Sequence, residues 1–260
     1  MCMFTRRVRV VANTRIFARS CAAGHQVLVY SMTMDADDEL AMILPLPVKL
    51  GIGELDVSFI DLSAYADFFE DLEKAVMVSG RWRSLKEREG APARPTLLVR
   101  NVGSFEASFA PTRAELDRLD SRFRLDPEVW RELSIYEDFG FAVFKLRPGL
   151  KHVHPMAFKF PRRDPQSLFF PTVHVHDGHS VPPLADFDHE LFFQSRMGVR
   201  LEREWFHSTS PAGTFMRQAS LPEDLMDCED QCFLIEIRGQ HPNRDIYLVE
   251  DSHGCVTEAP

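Results

Sequence analysis

Three imidazoles fall within six residues at the end of the stretch Phe169-Phe170-Pro171-Thr172-Val173-His174-Val175-His176-Asp177-Gly178-His179. Side chains two apart on a strand point to the same face, so His174 and His176 are expected to aim at one point. Neutral imidazole is the commonest metal-ligating side chain, and a metal site is the sharpest chemistry this pattern offers. His174, His176 and His179 are the first-choice ligands. Asp186, Asp188 and His189 follow, and His152 and His154 lie one expected hairpin upstream. His154, Asp188 and His189 are the second choices. Zinc or another divalent transition metal is the expected cofactor. A three-histidine site with an open position would make a Lewis acid or a metal hydroxide.

Cys2 carries a second chemistry. Removal of Met1 would leave an α-amine titrating near ~8 beside a thiol near ~8.5. One residue then supplies base and nucleophile, the logic of an N-terminal-nucleophile amide hydrolase. Arg15, Arg19 or Asn101 would position a substrate or an oxyanion. Cys2 is followed by Met3-Phe4-Thr5, not by the Gly-Ile of glutamine amidotransferases.

Other clusters read as structural. Cys228 and Cys232, with His241, His253 and Cys255 beyond, are too loosely spaced for a structural zinc, and Cys232 opens an apolar strand. Asp35, Asp37, Asp38 and Glu39 form an acidic turn without the glycine-punctuated calcium loop. Asp224, Asp227, Glu229 and Asp230 read the same way. Glycine-rich phosphate loops and Gly-x-Ser-x-Gly are absent from the sequence, so nucleotide binding and serine hydrolysis have no support.

The elements that must position these residues are mostly strands. The 260 residues are 45% hydrophobic, enough for a real core. A formal charge of −9 argues against nucleic-acid and anionic-membrane partners. The sequence lacks an apolar run near the ~20 residues of a membrane span. The start lacks a signal segment, which points to the cytoplasm. Five cysteines at irregular spacing point to reduced thiols.

Residues 7–18 alternate, a turn follows at Ala22-Ala23-Gly24-His25, and 25–32 returns as a strand. Residues 40–46 form a buried strand that Pro45 and Pro47 are expected to stop, since proline cannot serve a central ladder. In 63–76 the residues Tyr65, Phe68, Phe69, Leu72 and Val76 recur at helical spacing, with Ser63 as N-cap. Residues 79–95 are polar and basic, a long mobile loop. Thr112 to Glu115 is a capping box, and Asp126-Pro127 starts another short helix. A strand or hairpin with Gly103 in it is expected at 97–109, and further strands at 139–146, 153–160, 168–176, 187–194, 201–206, 232–238 and 245–250. The expected fold class is α+β, a strand-rich single domain over 1–260 with a few short helices and a flexible tail near 251–260.

Three families bear comparison. The cluster is similar to the His-x-His-x-Asp-His motif of the metallo-β-lactamase family, but Gly178 occupies the acid position and the acid sits at Asp177. The cupin pattern of His-x-His with a following Glu fails at Ser180 and Val181. Several segments resemble, in order and spacing over residues 2–160, an uncharacterised bacterial family with an N-terminal cysteine. They are Ala41-Met42-Ile43-Leu44-Pro45-Leu46-Pro47-Val48, Tyr65 to Leu72, Val102-Gly103-Ser104-Phe105-Glu106, Tyr136 to Leu146 and Pro155 to Phe160. The resemblance implies one compact α+β domain starting at Cys2 and transfers no activity.

Three readings follow. The first is a metal-dependent hydrolase acting on a small-molecule or peptide substrate. The second is an amide hydrolase built on Cys2. The third is a non-catalytic interaction protein that uses the 79–95 loop, where Arg81-Trp82-Arg83 has hot-spot composition. The sequence leaves enzyme and binder both open.

Overall fold

The computed structural model describes residues 3–77, 100–102, 105–149, 151–194, 205–250 and 256–258. Its strands are β1 (Met3–Phe4), β2 (Val8–Cys21), β3 (His25–Ala36), β4 (Leu40–Leu46), β5 (Ser58–Ile60), β6 (Arg100–Val102), β7 (Phe105–Ala110) and β8 (Gly140–Leu146). They continue as β9 (Lys151–Pro161), β10 (Ser167–Phe170), β11 (Leu184–Gln194), β12 (Phe206–His207), β13 (Cys232–Pro242), β14 (Ile246–Glu250) and β15 (Val256–Glu258). The helices are α1 (Phe68–Met77) and α2 (Pro127–Glu132), with short 3-10 turns between strands. The chain is strand-rich with few, short helices, as its alternating patterns imply.

Three sheets result. The largest runs β12-β13-β11-β2-β3-β9-β5, the second β1-β4-β8-β7-β6, and the third β10-β14-β15. Among the strand pairs of the described residues, β11 and β2 run parallel and the others antiparallel; a single parallel bridge also joins Met3 and Val175. The hairpin of β2 and β3 closes through Ala23 and Gly24, both at positive φ, where the sequence placed a turn.

Alternation sorts the side chains into layers. Ile16, Leu28, Tyr30, Phe158 and Phe160 leave one face of the large sheet and meet Met42, Leu44 and Phe144 of the second sheet. Phe17, Val27, Val29 and Ala157 leave the other face and pack under Phe68, Phe69, Leu72 and Val76 of α1. The outer face of the second sheet, with Ile43, Phe141 and Val143, is covered by Leu116, Phe123 and Val129. Each fully buried Phe or Leu contributes roughly 1.5–3 kcal/mol of transfer free energy.

The Gln26 side chain joins two sheets. It is fully buried on β3. Its Nε2 donates to the Phe169 carbonyl at 2.7 Å, and its Oε1 accepts the Phe169 amide at 3.0 Å.

Several local expectations change. Pro45 does not stop β4, which runs to Leu46 and pairs throughout with β8. On its other side β1 reaches only Met42 and Ile43, so no ladder partner there needs the N–H that Pro45 lacks. The 63–76 region splits into a 3-10 turn, Ser63–Tyr65, and then α1. Ser63 caps nothing; its amide donates to Asp61 Oδ1 at 2.8 Å. Thr112 opens a 3-10 turn through its carbonyl, not its hydroxyl. Asp126 does cap α2, accepting the Glu128 amide at 2.9 Å. The region 168–176 is a strand only to Phe170.

Candidate functional site

Past Phe170 the chain leaves the sheet and is held by side chains in place of a strand. Asp245 accepts the amides of Thr172 at 2.8 Å and Val173 at 3.1 Å. Asn243 accepts the His174 amide at 2.7 Å and donates to the His174 carbonyl at 3.0 Å. From the opposite side, Phe4 and Val8 donate their amides to Val175 and His176, each at 2.9 Å. The Tyr136 hydroxyl donates to Asp245 at 2.6 Å. Burial pushes both the Asp245 carboxyl and the Tyr136 hydroxyl above their ordinary pKa ranges.

This scaffold sets the imidazoles near-parallel and offset from one another. The rings of His174 and His176 lie 5.1 Å apart at 22°, and His174 and His189 lie 5.3 Å apart at 27°. Phe187 packs on His174 at 4.6 Å and on His189 at 4.7 Å. Burial disfavours the charged ring. It lowers His176 to about 4 and holds His174 and His189 well below the ordinary histidine value. The Asp188 amide donates to His189 Nδ1 at 3.1 Å.

The structure therefore brings His174, His176 and His189 together and leaves out the other candidate ligands. His179 is exposed, with Nδ1 3.4 Å from Asp126 Oδ2. Asp188 pairs with Arg238 and accepts the Asn13 amide at 2.8 Å. Asp186 is exposed on β11. His154 sits on β9, whose neighbours are β3 and β5, so it does not pair with the His174 segment as the hairpin reading expected. Its Nδ1 lies 3.3 Å from the Pro155 carbonyl.

Among the described residues, no group of three or more His, Cys, Asp and Glu side chains is arranged to hold a metal ion. The rings lie near-parallel, and their nitrogens join no third ligand around a common point among the described residues. The metal-dependent hydrolase reading is overturned by that geometry.

Cys2, residues 79–95, His253, Cys255 and most of the 251–260 tail lie outside the described residues, as does the Asn101 side chain. Arg15 and Arg19, nominated to help Cys2, have structural partners. Arg15 is buried, 3.1 Å from Glu70 and stacked over Phe69, and Arg19 donates to the Asp224 carbonyl at 2.9 Å. Cys232 is packed in the core under α1, where burial raises its thiol pKa. Arg9 lies between Asp35 and Asp37, so the acidic turn holds a guanidinium.

Sequence reasoning missed Asn243 and Asp245. Their only local signal is a polar Pro242-Asn243-Arg244-Asp245 turn, which says nothing of partners some seventy residues away. It also missed why Gly178 stands where a ligand motif would carry an acid. Gly178 has φ +79°, and a Cβ there would meet the Thr5 carbonyl oxygen at 2.7 Å.

No family model matches the chain, and no curated protein matches it. Among solved structures, baculovirus P35 is similar in fold, with a TM-score of 0.50 at 10% identity over 95% of this chain and 99% of that one. The caspase-8/P35 complex gives a TM-score of 0.46 at 10% identity over 92% and 96%. A mutated P35 after caspase cleavage gives 0.44 at 10% identity over 91% and 99%. At this identity the likeness shows the fold alone. Nothing in these comparisons supports a bacterial family, and the metal-binding hydrolase reading is withdrawn. Among the described residues, no helix is long and apolar enough to cross a membrane.

Proposed function

We propose that this chain is a non-catalytic protein that acts by binding another protein, and that a caspase is the partner to test first. The observation that carries the reading is the fold likeness to P35 along nearly the full length of both chains. P35 has been solved in complex with caspase-8. The described chemistry agrees with a binder. Of the histidines nominated as metal ligands, His174, His176 and His189 pack together with pKa values lowered by burial, and His179 lies beside Asp126 at the surface. Residues 79–95, with Arg81-Trp82-Arg83, are the contact segment that composition nominates.

The test mixes the purified full chain with caspase-8. Substrate hydrolysis is followed against added chain, and the mixture is run on a sizing column. Loss of caspase activity at near-equimolar chain, with co-elution, is the expected result. Undiminished activity at tenfold excess and separate elution would overturn the proposal. A variant with 79–95 replaced by a Gly-Ser linker is expected to lose co-elution while keeping its melting temperature.

A further inference from the structure

Two kinds of contact dock α1 on the large sheet. Phe68, Phe69, Leu72 and Val76 enter the apolar layer beneath it. Beside them a row of charge crosses three strands. Arg15 of β2 is the cross-strand partner of Glu190 of β11, and Glu190 is the partner of Glu236 of β13. Two positions along each strand, Phe17, Phe192 and Leu234 pack with α1, so the row lies on the same sheet face. From α1, Glu70 Oε1 lies 3.1 Å and Glu73 Oε2 3.9 Å from the Arg15 guanidinium. Arg238 closes the far end, 2.9 Å from Glu190, 3.4 Å from Glu236 and paired with Asp188. Lys74, the cation of α1 itself, is exposed and turned to Asp71 at 2.9 Å. His207 of β12 faces Phe233, on the other side of the sheet.

Among the described residues, the guanidiniums of Arg15 and Arg238 thus serve the carboxyls of Glu70, Glu73, Asp188, Glu190 and Glu236. Acid outnumbers base, and the excess is sheltered. The Glu73 and Glu190 side chains are each 14% exposed. Carboxylates crowded together away from water disfavour full ionisation. Glu190 is fixed in the β11 ladder, whereas Glu73 rides on α1, which meets the sheet through side chains. Their repulsion therefore acts across the joint between helix and sheet.

We propose that Glu73 and Glu190 form a proton-sensitive clasp, in which proton uptake by this pair as pH falls tightens the docking of α1 on the sheet. Burial raises the Glu73 pKa, with Arg15 opposing and Glu70 adding to the rise. Burial, and then Glu73, raise that of Glu190 against Arg238 and Arg15. Both folded values lie above the ~4.3 of an unfolded glutamate. Above ~4.3 the folded chain therefore binds more protons than the unfolded one, and the pair adds stability as pH falls through the folded values. This sign is opposite to that of the buried histidines. Among the described residues, no group of His, Cys, Asp and Glu is arranged to hold a metal ion, so the proton is the ligand this row is suited to take. The clasp stands whether or not the chain binds a caspase.

The experiment titrates the full chain, labelled with carbon-13 at the glutamate carboxyls, from about pH 8 to about pH 4. Amide exchange of Leu72 and Val76 in α1 is then compared about one pH unit above and below the midpoint found, corrected for the intrinsic pH dependence of exchange. Midpoints above ~4.3 for Glu73 and Glu190 are expected, with α1 protected at least threefold more on the acid side. Glu190→Gln is expected to lower the Glu73 midpoint, raise α1 protection on the alkaline side and flatten its pH dependence. The buried histidines are common to both chains and cancel in that comparison. Glu73→Gln, which leaves the sheet untouched, gives the converse reading on Glu190 should Glu190→Gln disturb β11. Midpoints at or below ~4.3, equal or weaker α1 protection on the acid side, or an unchanged pH dependence in the variants would overturn the clasp.

Discussion

The Tyr136 hydroxyl donates to the Asp245 carboxylate at 2.6 Å, across 109 residues of chain. The same carboxylate receives the amides of Thr172 and Val173, so one buried acid holds a loop end, a strand approach and the His174 segment together.

Tyr136→Phe removes one of three donors and is expected to lower stability by about 1–3 kcal/mol. Asp245→Ala strands three donors and is expected to cost more than ~3 kcal/mol. Urea titration of both variants and of the double variant checks this. Additive losses in the double variant would show that the two groups do not act as a unit.

The stacked histidines make stability depend on pH in one direction. Their folded pKa values lie below the unfolded value of ~6.5, with His176 at about 4. Below ~6.5 the unfolded chain binds more protons than the folded one, so stability is full above that pH and falls as pH drops through the folded values. Each such histidine contributes a slope of up to ~1.4 kcal/mol per pH unit. Denaturation free energies measured from pH 7 to pH 5 are expected to fall, and less steeply in His176→Phe. An identical slope in that variant would contradict the buried-neutral assignment.

Gly178→Ala is expected to destabilise by more than ~1 kcal/mol, because positive φ is strained for a residue with a Cβ. The added atom must also displace the Thr5 carbonyl, 2.7 Å away. Gly178→Asp would complete the metallo-β-lactamase spacing on paper and is expected to melt at least as early. A thermal melt of each variant decides the matter; unchanged melting would mean that the Thr5 segment gives way easily.

Much of the fold was legible, and the reasons are local. The pleat of β2 sends Ile16 and Phe17 to opposite faces, so two adjacent apolar residues enter two different clusters. Asp126-Pro127 announces α2 through capping chemistry that needs no distant partner. The site was legible only in part. His174 and His176 do lie side by side, yet His189, whose ring packs near His174, and Asn243 and Asp245, which hold the 172–174 backbone, come from segments that no local signal connects. Pro45 misled because its meaning depends on how far a neighbouring strand extends. A histidine pair two apart is also compatible with nitrogens converging on an ion and with rings stacking in a core, and packing against Phe187 selects the second.

The Gln26 carboxamide copies a peptide unit, offering Phe169 one donor and one acceptor as a neighbouring strand would. The small sheet of β10, β14 and β15 is thereby coupled to the large one through a residue whose identity, not its backbone, supplies the rung. Exchange Gln26 for leucine and the volume is nearly kept, but the Phe169 amide and carbonyl lose both bonds. The two sheets also share the core that Phe169, Phe170, Ile246 and Leu248 enter, so Gln26 adds a directional rung to a joint that is otherwise apolar.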